Sequence, residues 1–217
     1  LFDFYDISGG GYHNLHIAVA PMGTVTEGFL ASSAARVKTI VRENEKVFVV
    51  GKFLDLGHAE KVLADGHADV VAMTRAHMAD PFLVSKSFNG KQSEITKCIG
   101  ANVCVKRLIE DREVTCFQNP AMGREENFGS GTISKVEAKN RKAISVIGGG
   151  PAGLRFSGTA AEAGHKVRLF ETEKKLGGHL NVLKLLPTRT AWQTGIDNLV
   201  RRIERNKVEI FTEWVPD

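Results

Sequence analysis

Three cysteines lie within one short stretch, two of them in the segment KCIGANVCVKR. Cys98 and Cys104 flank a Gly-Ala-Asn core, and Cys116 follows after a further twelve positions. Closely spaced thiolates are the usual ligands of iron–sulfur clusters. The spacing leaves three interpretations open: an iron–sulfur cluster, buried structural thiols, or a zinc site. A zinc site would need a distant histidine, because the nearby histidines lie in βα units: His58, His67 and His77.

A second candidate site is the glycine loop GGGPAG, which fits the pattern G-x-G-x-x-G. It follows an apolar strand and begins a helix. Glu171 lies at the end of the next strand, where the dinucleotide-binding pattern places an acidic residue. Gly148 would permit the tight turn, Gly150 the approach of a pyrophosphate, and Gly153 the close packing of helix on strand. The free N–H groups at the helix start, around Pro151 and Ala152, would bind the phosphates. The alternative is an ordinary glycine-rich βα turn.

Two further features bear on the identity of the nucleotide. A carboxylate at Glu171 would bind the adenosine ribose and disfavour a 2′-phosphate, which predicts FAD, ADP or NAD rather than NADP. The stretch KKLGGHL then favours FAD or ADP over NAD, because a glycine pair lets a second backbone segment approach the nucleotide. Its candidate binding residues are Gly178, His179 and Leu180.

A third candidate site is a phosphate site at the ends of two predicted strands. Barrel enzymes often bind phosphate with the loops after their last strands. Here those strand ends carry Gly51-Lys52 and Thr74-Arg75. Gly51 can offer a backbone N–H at close range and Arg75 a bidentate guanidinium. The alternative is that Arg75 is a surface or salt-bridged arginine.

The elements that would position these sites form two α/β patterns. The first predicts strands at 1–7, 47–51 and 69–73, helices at 27–44, His58–Ala64 and from Pro81, and a loop at Thr74-Arg75. Such βα units predict parallel strands with right-handed connections. The second predicts strands at 143–148, 166–171 and 208–212, with helices at Pro151–Ala163 and 191–206. A polar linker over 126–142 would separate the two.

Composition excludes several classes. The 217 residues are 42% hydrophobic and 25% charged, as in ordinary soluble globular proteins. The net charge of +4 is spread out apart from one predicted helix face at 201–207, so we expect no nucleic-acid partner. No apolar run is long enough for a membrane span. An odd number of cysteines and no signal peptide favour a reducing, cytoplasmic setting.

Taken in order, these motifs resemble one family. VVGKFLDLGHAEKVLADGHADVVAMTRAHMADP is similar to the last two strands of the barrel in flavin oxidoreductases that include trimethylamine dehydrogenase and 2,4-dienoyl-CoA reductase. KCIGANVC with TCFQNPAMGRE resembles their iron–sulfur segment, and VIGGGPAGL with KLGGHLNVLKLLP the start of their nucleotide-binding domain. These enzymes are relatives of old yellow enzyme with a cluster segment and a nucleotide domain appended.

The resemblance implies a fold class and a domain order. The fold would be α/β: the C-terminal part of a TIM (β/α)8 barrel, an iron–sulfur loop segment, and the start of a Rossmann-like FAD/NAD(P)-binding domain. The corresponding ranges are 1–92, 93–125 and 143–217, with 126–142 as the linker. Because the chain begins with Leu and near the sixth barrel strand, we expect a fragment of a larger parent chain, or else a subunit of a homo-oligomer.

The resemblance also implies cofactors. FMN would lie in the barrel with its phosphate on Gly51 and Arg75, a 4Fe–4S cluster on the three cysteines, and FAD or ADP on the glycine loop. The family pattern is Cys-Ile-Gly-Cys-Asn, and here Ala101 replaces the second cysteine. A methyl group cannot ligate iron. The cluster would therefore use another ligand, lose one iron, or be absent.

The implied reaction is oxidation of a small N-methylated amine or amino acid. Electrons would pass from FMN through the cluster to an acceptor flavoprotein. Tyr12, His13 and His16 follow a barrel strand and are candidates for substrate contact or proton transfer. One alternative is an NAD(P)H-dependent reductase of an enoyl substrate. Another is a non-catalytic nucleotide-binding or electron-transfer piece.

Overall fold

The computed structural model describes residues 2–129 and 133–215. The chain divides into two compact units, Leu1–Asn119 and Pro120–Asp217. Each unit contains a three-stranded parallel sheet. The predicted α/β class with parallel strands is therefore confirmed. Within the described residues, no helix combines the length and the apolar character that crossing a bilayer requires.

The first unit contains a sheet of order β1-β2-β3. Its central strand alternates between the two faces, and Val47 and Val49 are fully buried against Ala34 and Phe53. Short 3-10 helices occur at Tyr12–Asn14 and Gln92–Glu94. The elements are β1 Phe4–Ile7, α1 Leu15–Val19, α2 Ala31–Lys38, β2 Lys46–Val50, α3 Leu56–Ala64, β3 Val70–Ala72, α4 Thr74–Ala79, α5 Leu83–Phe88 and α6 Val103–Ile109.

Two predictions for the first unit differ from the structure. The helix expected over 27–44 is the shorter α2, because Gly28 turns with a φ of 65° before it and the Thr39 hydroxyl donates to the Arg36 carbonyl at its end. Such a side-chain bond competes with the helical bonds. The expected loop at Thr74-Arg75 is wrong, since β3 leads directly into α4, where His77 N–H donates to the Met73 carbonyl at 3.1 Å.

The second unit contains a sheet of order β4-β5-β6. Helices α8 and α10 pack against it through Leu154, Leu199 and Ile203, which bury Leu169 of the central strand. A 3-10 helix spans Ala138–Asn140. The elements are α7 Glu125–Phe128, β4 Ala143–Ile147, α8 Pro151–Glu162, β5 Lys166–Phe170, α9 Leu180–Leu183, α10 Trp192–Arg205 and β6 Glu209–Phe211.

Most predicted elements of the second unit are confirmed to within two residues. The predicted linker at 126–142 is only partly irregular, because α7 overlaps its start and the 3-10 helix lies within it. Its residues 130–132 lie outside the described residues.

Candidate functional site

The carboxyl ends of β1, β2 and β3 form one wall of a cavity of about 400 Å³ in the first unit. Gly51, Lys52, Thr74 and Arg75 all line it, so the structure brings the four predicted phosphate-site residues together. Helix α6 closes another side and contributes Cys104. Ligands of open parallel sheets and barrels bind at this end of the strands.

Arg75 is half-buried and uses one of its three nitrogens for the protein. Its Nη1 donates to the carbonyls of Val19 and Ala20, both at 3.0 Å, and to Oδ1 of Asn102 at 2.6 Å. No contact from the described residues occupies its Nε or Nη2. The guanidinium is therefore fixed in place with donors left over, which suits an anion such as phosphate.

Lys52 lines the cavity, and its ammonium is bound by two backbone carbonyls of the same unit. Its Nζ donates to the carbonyls of Pro21 and Val25, at 2.9 and 2.6 Å, and so holds the chain segment before α2. Burial is the main reason that the pKa of Lys52 is lowered. The charge of Arg75 lowers it further, while Glu27 and Cys98 oppose the change. Its backbone has a φ of 58°, in the left-handed region.

The three cysteines all lie in the first unit, and each is half-buried and forms no disulfide with another described residue. Cys98 Sγ accepts the N–H of Gly100 at 3.4 Å, and Cys116 Sγ accepts the N–H of Gln118 at 3.3 Å. Burial chiefly raises the pKa of Cys98; Gly100 and Arg75 oppose this, and negative charge at Cys116 and Cys104 adds to it. Cys98 thus lies near enough to the other two cysteines for their charge to affect its pKa.

The described residues contain no group of three His, Cys, Asp or Glu side chains arranged around a single metal ion. Because a cluster contains several irons, its thiolates stand farther apart than the ligands of one ion. The donor set agrees with a cluster in its sulfur chemistry and its N–H···S bonds. The set has three cysteines, one fewer than the four of the family pattern. Ala101 has a methyl group at the position of the fourth thiolate in that pattern.

The glycine loop of the second unit has the geometry that its sequence predicts. Gly148 has a φ of 99°, and a Cβ on Gly153 would lie 1.9 Å from the Gly148 carbonyl oxygen. A Cβ on Gly150, in contrast, would meet nothing within 4 Å. The loop therefore leaves open space at Gly150, and Pro151 begins α8 there. This cradle fits the phosphates of a nucleotide at a helix N-terminus.

Glu171 closes the loop from the next strand. Its Oε2 accepts the N–H of Gly149 at 2.6 Å, and its Oε1 accepts the N–H of Glu173 at 2.9 Å and the hydroxyl of Thr172 at 3.1 Å. The bond from Glu173 is the largest cause of its lowered pKa; burial opposes it, and Gly149 and Thr172 reinforce it. The predicted acceptor for a ribose is thus ionised and lies beside the loop.

The predicted second backbone segment also meets the loop. Gly177 N–H donates to the Gly149 carbonyl at 2.8 Å, and a Cβ on Gly178 would lie 3.1 Å from Gly150 Cα. His179 caps α9 and is exposed, while Leu180 is buried in the unit.

Tyr12, His13 and His16 do not line the cavity. All three are exposed, Tyr12 completely, on the 3-10 helix and on α1. Their catalytic role stays a prediction.

Two polar residues that shape the site were not predicted. Glu27 Oε1 accepts the N–H groups of Leu54 and Asp55, both at 2.6 Å, and Asn102 binds Arg75. Only Asn102 had a signal, because asparagine after a glycine-containing turn is typical of the left-handed conformation.

Comparison with known proteins agrees with this geometry. Residues 146–188 match the family model of the NAD(P)-binding Rossmann-like domain. The chain is 36% identical over 192 residues to N,N-dimethylglycine/sarcosine dehydrogenase of Chromohalobacter salexigens, which is 87% of this chain and 27% of that protein. It is 34% identical over 207 residues to NADH oxidase of Thermoanaerobacter brockii, which is 94% of this chain and 31% of that protein.

Among solved structures, 6-hydroxypseudooxynicotine amine oxidase from Pseudomonas geniculata N1 superposes with a TM-score of 0.89 at 26% identity. The match covers 98% of this chain and 31% of that one. The chain thus spans less than a third of the length of each of these relatives. Across nearly all of its own length, it is related in sequence and fold to the flavin oxidoreductase family that includes trimethylamine dehydrogenase and 2,4-dienoyl-CoA reductase.

Proposed function

We propose that this chain belongs to a flavin-dependent enzyme that oxidises a small N-methylated amine or amino acid. The observation that carries the proposal is the cavity at the strand ends, which Gly51, Arg75 and Cys104 line together. A phosphate-binding guanidinium and a cluster cysteine would then border the same space. The relative named dimethylglycine/sarcosine dehydrogenase supports the substrate class.

In this proposal, β1, β2 and β3 are the last three strands of a TIM barrel that binds FMN. Arg75 would bind the phosphate through Nε and Nη2, and Gly51, which lines the same cavity, would offer its backbone N–H. When bound, FMN would supply the hydride-accepting chemistry. The chain's own residues would hold the cofactor, and the apolar walls at Leu30 and Phe53 would keep water from it.

Cys98, Cys104 and Cys116 would hold an iron–sulfur cluster of the 4Fe–4S type, altered by the missing thiolate at Ala101. Such a cluster supplies one-electron transfer when bound. The N–H groups of Gly100 and Gln118 would stabilise negative charge on two of the three sulfurs. An acceptor flavoprotein is the proposed redox partner, and three cysteines that form no disulfide among the described residues suit the proposed cytoplasmic location.

The second unit would bind FAD or ADP. The open space at Gly150, the start of α8 and the ionised Glu171 support this assignment. Glu171 would accept hydrogen bonds from the ribose. Gly178 would let the second backbone segment, which precedes α9, lie against the nucleotide.

Anaerobic reduction of the purified full-length protein tests the proposal. Sarcosine or N,N-dimethylglycine should bleach the flavin absorbance, and unmethylated glycine should not. The variant Arg75→Met should lose FMN and the bleaching with it, whereas Arg112→Met, on an exposed side chain outside the cavity, should retain both. Full flavin content with no bleaching by any N-methylated amine would contradict the oxidative reaction.

A second candidate is reduction of an enoyl substrate by NAD(P)H. The observation that favours it is the match of residues 146–188 to an NAD(P)-binding domain, together with the relative named NADH oxidase. Rapid anaerobic bleaching by NADPH alone, and none by the amines, would favour this direction of electron flow. Bound ADP or FAD with neither FMN nor iron would instead indicate a non-catalytic nucleotide-binding piece.

A further inference from the structure

Asn102 connects the cysteine segment to the cavity wall. It lies between Ala101 and α6, with a φ of 56° in the left-handed region. Its Oδ1 accepts a hydrogen bond from Arg75 Nη1 at 2.6 Å, and its Nδ2 donates to the Val19 carbonyl at 2.7 Å. Both polar ends of one half-buried amide are therefore used, and each joins a different part of the first unit.

The three partners form a closed set of bonds. Arg75 Nη1 also donates to the Val19 carbonyl, so Asn102, Arg75 and Val19 are each bonded to the other two. A backbone bond from Met22 N–H to the Gly100 carbonyl at 2.9 Å runs alongside. The same side chain that would bind the phosphate is thus held by the segment that carries Cys98.

This arrangement matters because arginine is long and flexible. An unsupported guanidinium would have to be ordered when the phosphate binds, and that ordering weakens affinity. With Nη1 held by three oxygens, only Nε and Nη2 are left for a ligand. Asn102 supplies the shortest of the three bonds to Nη1.

We infer that Asn102 is a positioning residue, which orients Arg75 for a phosphate-bearing ligand and so couples the cavity to the cysteine segment. This inference rests on the proposed FMN site. Coupling is reciprocal, so a ligand phosphate on Arg75 also stabilises the conformation of residues 98–102.

Fluorescence titration with FMN and with riboflavin, which lacks the phosphate, tests this role. The variant Asn102→Gly removes the amide and still tolerates the left-handed backbone. Its matched control is Asp111→Gly, an exposed position with a φ of 50° at the other end of α6. We expect Asn102→Gly to weaken FMN binding by about tenfold and to leave riboflavin binding unchanged. Asp111→Gly should bind both flavins like the parent protein.

The outcomes separate the two proposals. Parent protein that prefers FMN over riboflavin, with equal FMN affinity in Asn102→Gly, would overturn the positioning role alone. An equal loss of FMN and riboflavin binding in Asn102→Gly would also overturn it, because that loss reports general damage to the unit. Parent protein that shows no preference for FMN would overturn the phosphate site and, with it, the role of Asn102.

Discussion

Two glycines in the same turn of the second unit have opposite surroundings. Gly153 faces the Gly148 carbonyl oxygen so closely that a Cβ would come within 1.9 Å of it, whereas a Cβ on Gly150 would point into open space. One glycine is needed for the fold and the other for the ligand. The two roles can therefore be separated by the same substitution at two positions.

Gly153→Ala should lower the free energy of unfolding of the second unit by about 1–3 kcal/mol, because the backbone must move apart. Gly150→Ala should leave the melting temperature unchanged and weaken ADP binding at least about tenfold, since the methyl group enters the phosphate space. Thermal unfolding and ADP titration of both variants check this. A stable Gly153→Ala variant with normal ADP affinity would show that the loop does not have the described geometry.

Glu171 should make the second unit sensitive to acid. Its pKa is lowered in the folded chain from the ordinary value of 4.5, mainly by the N–H of Glu173. The unfolded chain therefore takes up the proton first as pH falls. The stability that Glu171 contributes is complete above the ordinary pKa and is lost as pH drops from there through the folded pKa.

Glu171→Gln removes this titration. We expect the variant to be less stable than the parent at pH 7, by about 1.5–3 kcal/mol, because hydrogen bonds to a charged acceptor are lost. The difference in free energy of unfolding between parent and variant should become smaller as pH is lowered from 5 to 3. Chemical denaturation across this range measures it, and a gap that stays constant with pH would argue against an ionised, hydrogen-bonded Glu171.

At the scale of elements, Asp80 joins α4 to the chain that leads to the cysteines. Its buried carboxylate accepts the N–H of Phe82 at 3.1 Å, the N–H of Thr96 at 2.8 Å and the ammonium of Lys86 at 2.5 Å. One side chain thus ties the end of α4 to α5 and to the segment after it. The bond to Thr96 fixes the chain two residues before Cys98.

Asp80→Asn should lower the free energy of unfolding by about 1.5–3 kcal/mol, because the charge that these donors meet is removed. The matched control is Asp65→Asn. Asp65 directly follows α3 and pairs with Lys61 at 2.8 Å on the exposed surface, and exposed pairs of this kind contribute little to stability. Urea unfolding of both variants gives the comparison. Equal effects at the two positions would mean that Asp80 is not buried as described.

The sequence predicts those elements whose signal is local. Apolar runs such as VFVV give the strands, and the glycine loop gives the turn before α8, because steric limits on φ and on close approach act within a few residues. The bond from Asn102 to Arg75 spans 27 positions along the chain. No local pattern encodes such a contact, and the same holds for Lys52, whose ammonium binds carbonyls of residues 21 and 25.

At the scale of the whole molecule, the proposed centres fall in both units. The cavity and the three thiols lie in the first, and the glycine loop lies in the second. The resemblance, more than any single motif, predicted this order along the chain. It could not predict that Tyr12, His13 and His16 would be exposed, because the orientation of a loop depends on packing that is not visible in sequence.

Ala101→Cys tests the redox content of the whole protein. Restoring a thiolate at this position should raise the ratio of iron to protein and change the electron paramagnetic resonance spectrum, because a fourth sulfur can then ligate iron. Anaerobic metal analysis and spectroscopy of parent and variant provide the measurement. Iron content that is equal and low in both proteins would count against a cluster at the three cysteines.

Both sheets stop at three strands, so β1, β3, β4 and β6 each have one flank without a strand neighbour among the described residues. Backbone N–H and carbonyl groups along such a flank can accept another strand from any source. Phe4 on β1 and Phe211 on β6 add exposed aromatic surface beside two of these flanks. At high concentration, the isolated chain should therefore form ribbon-like assemblies that bind thioflavin T. The variant Phe4→Lys should form them more slowly.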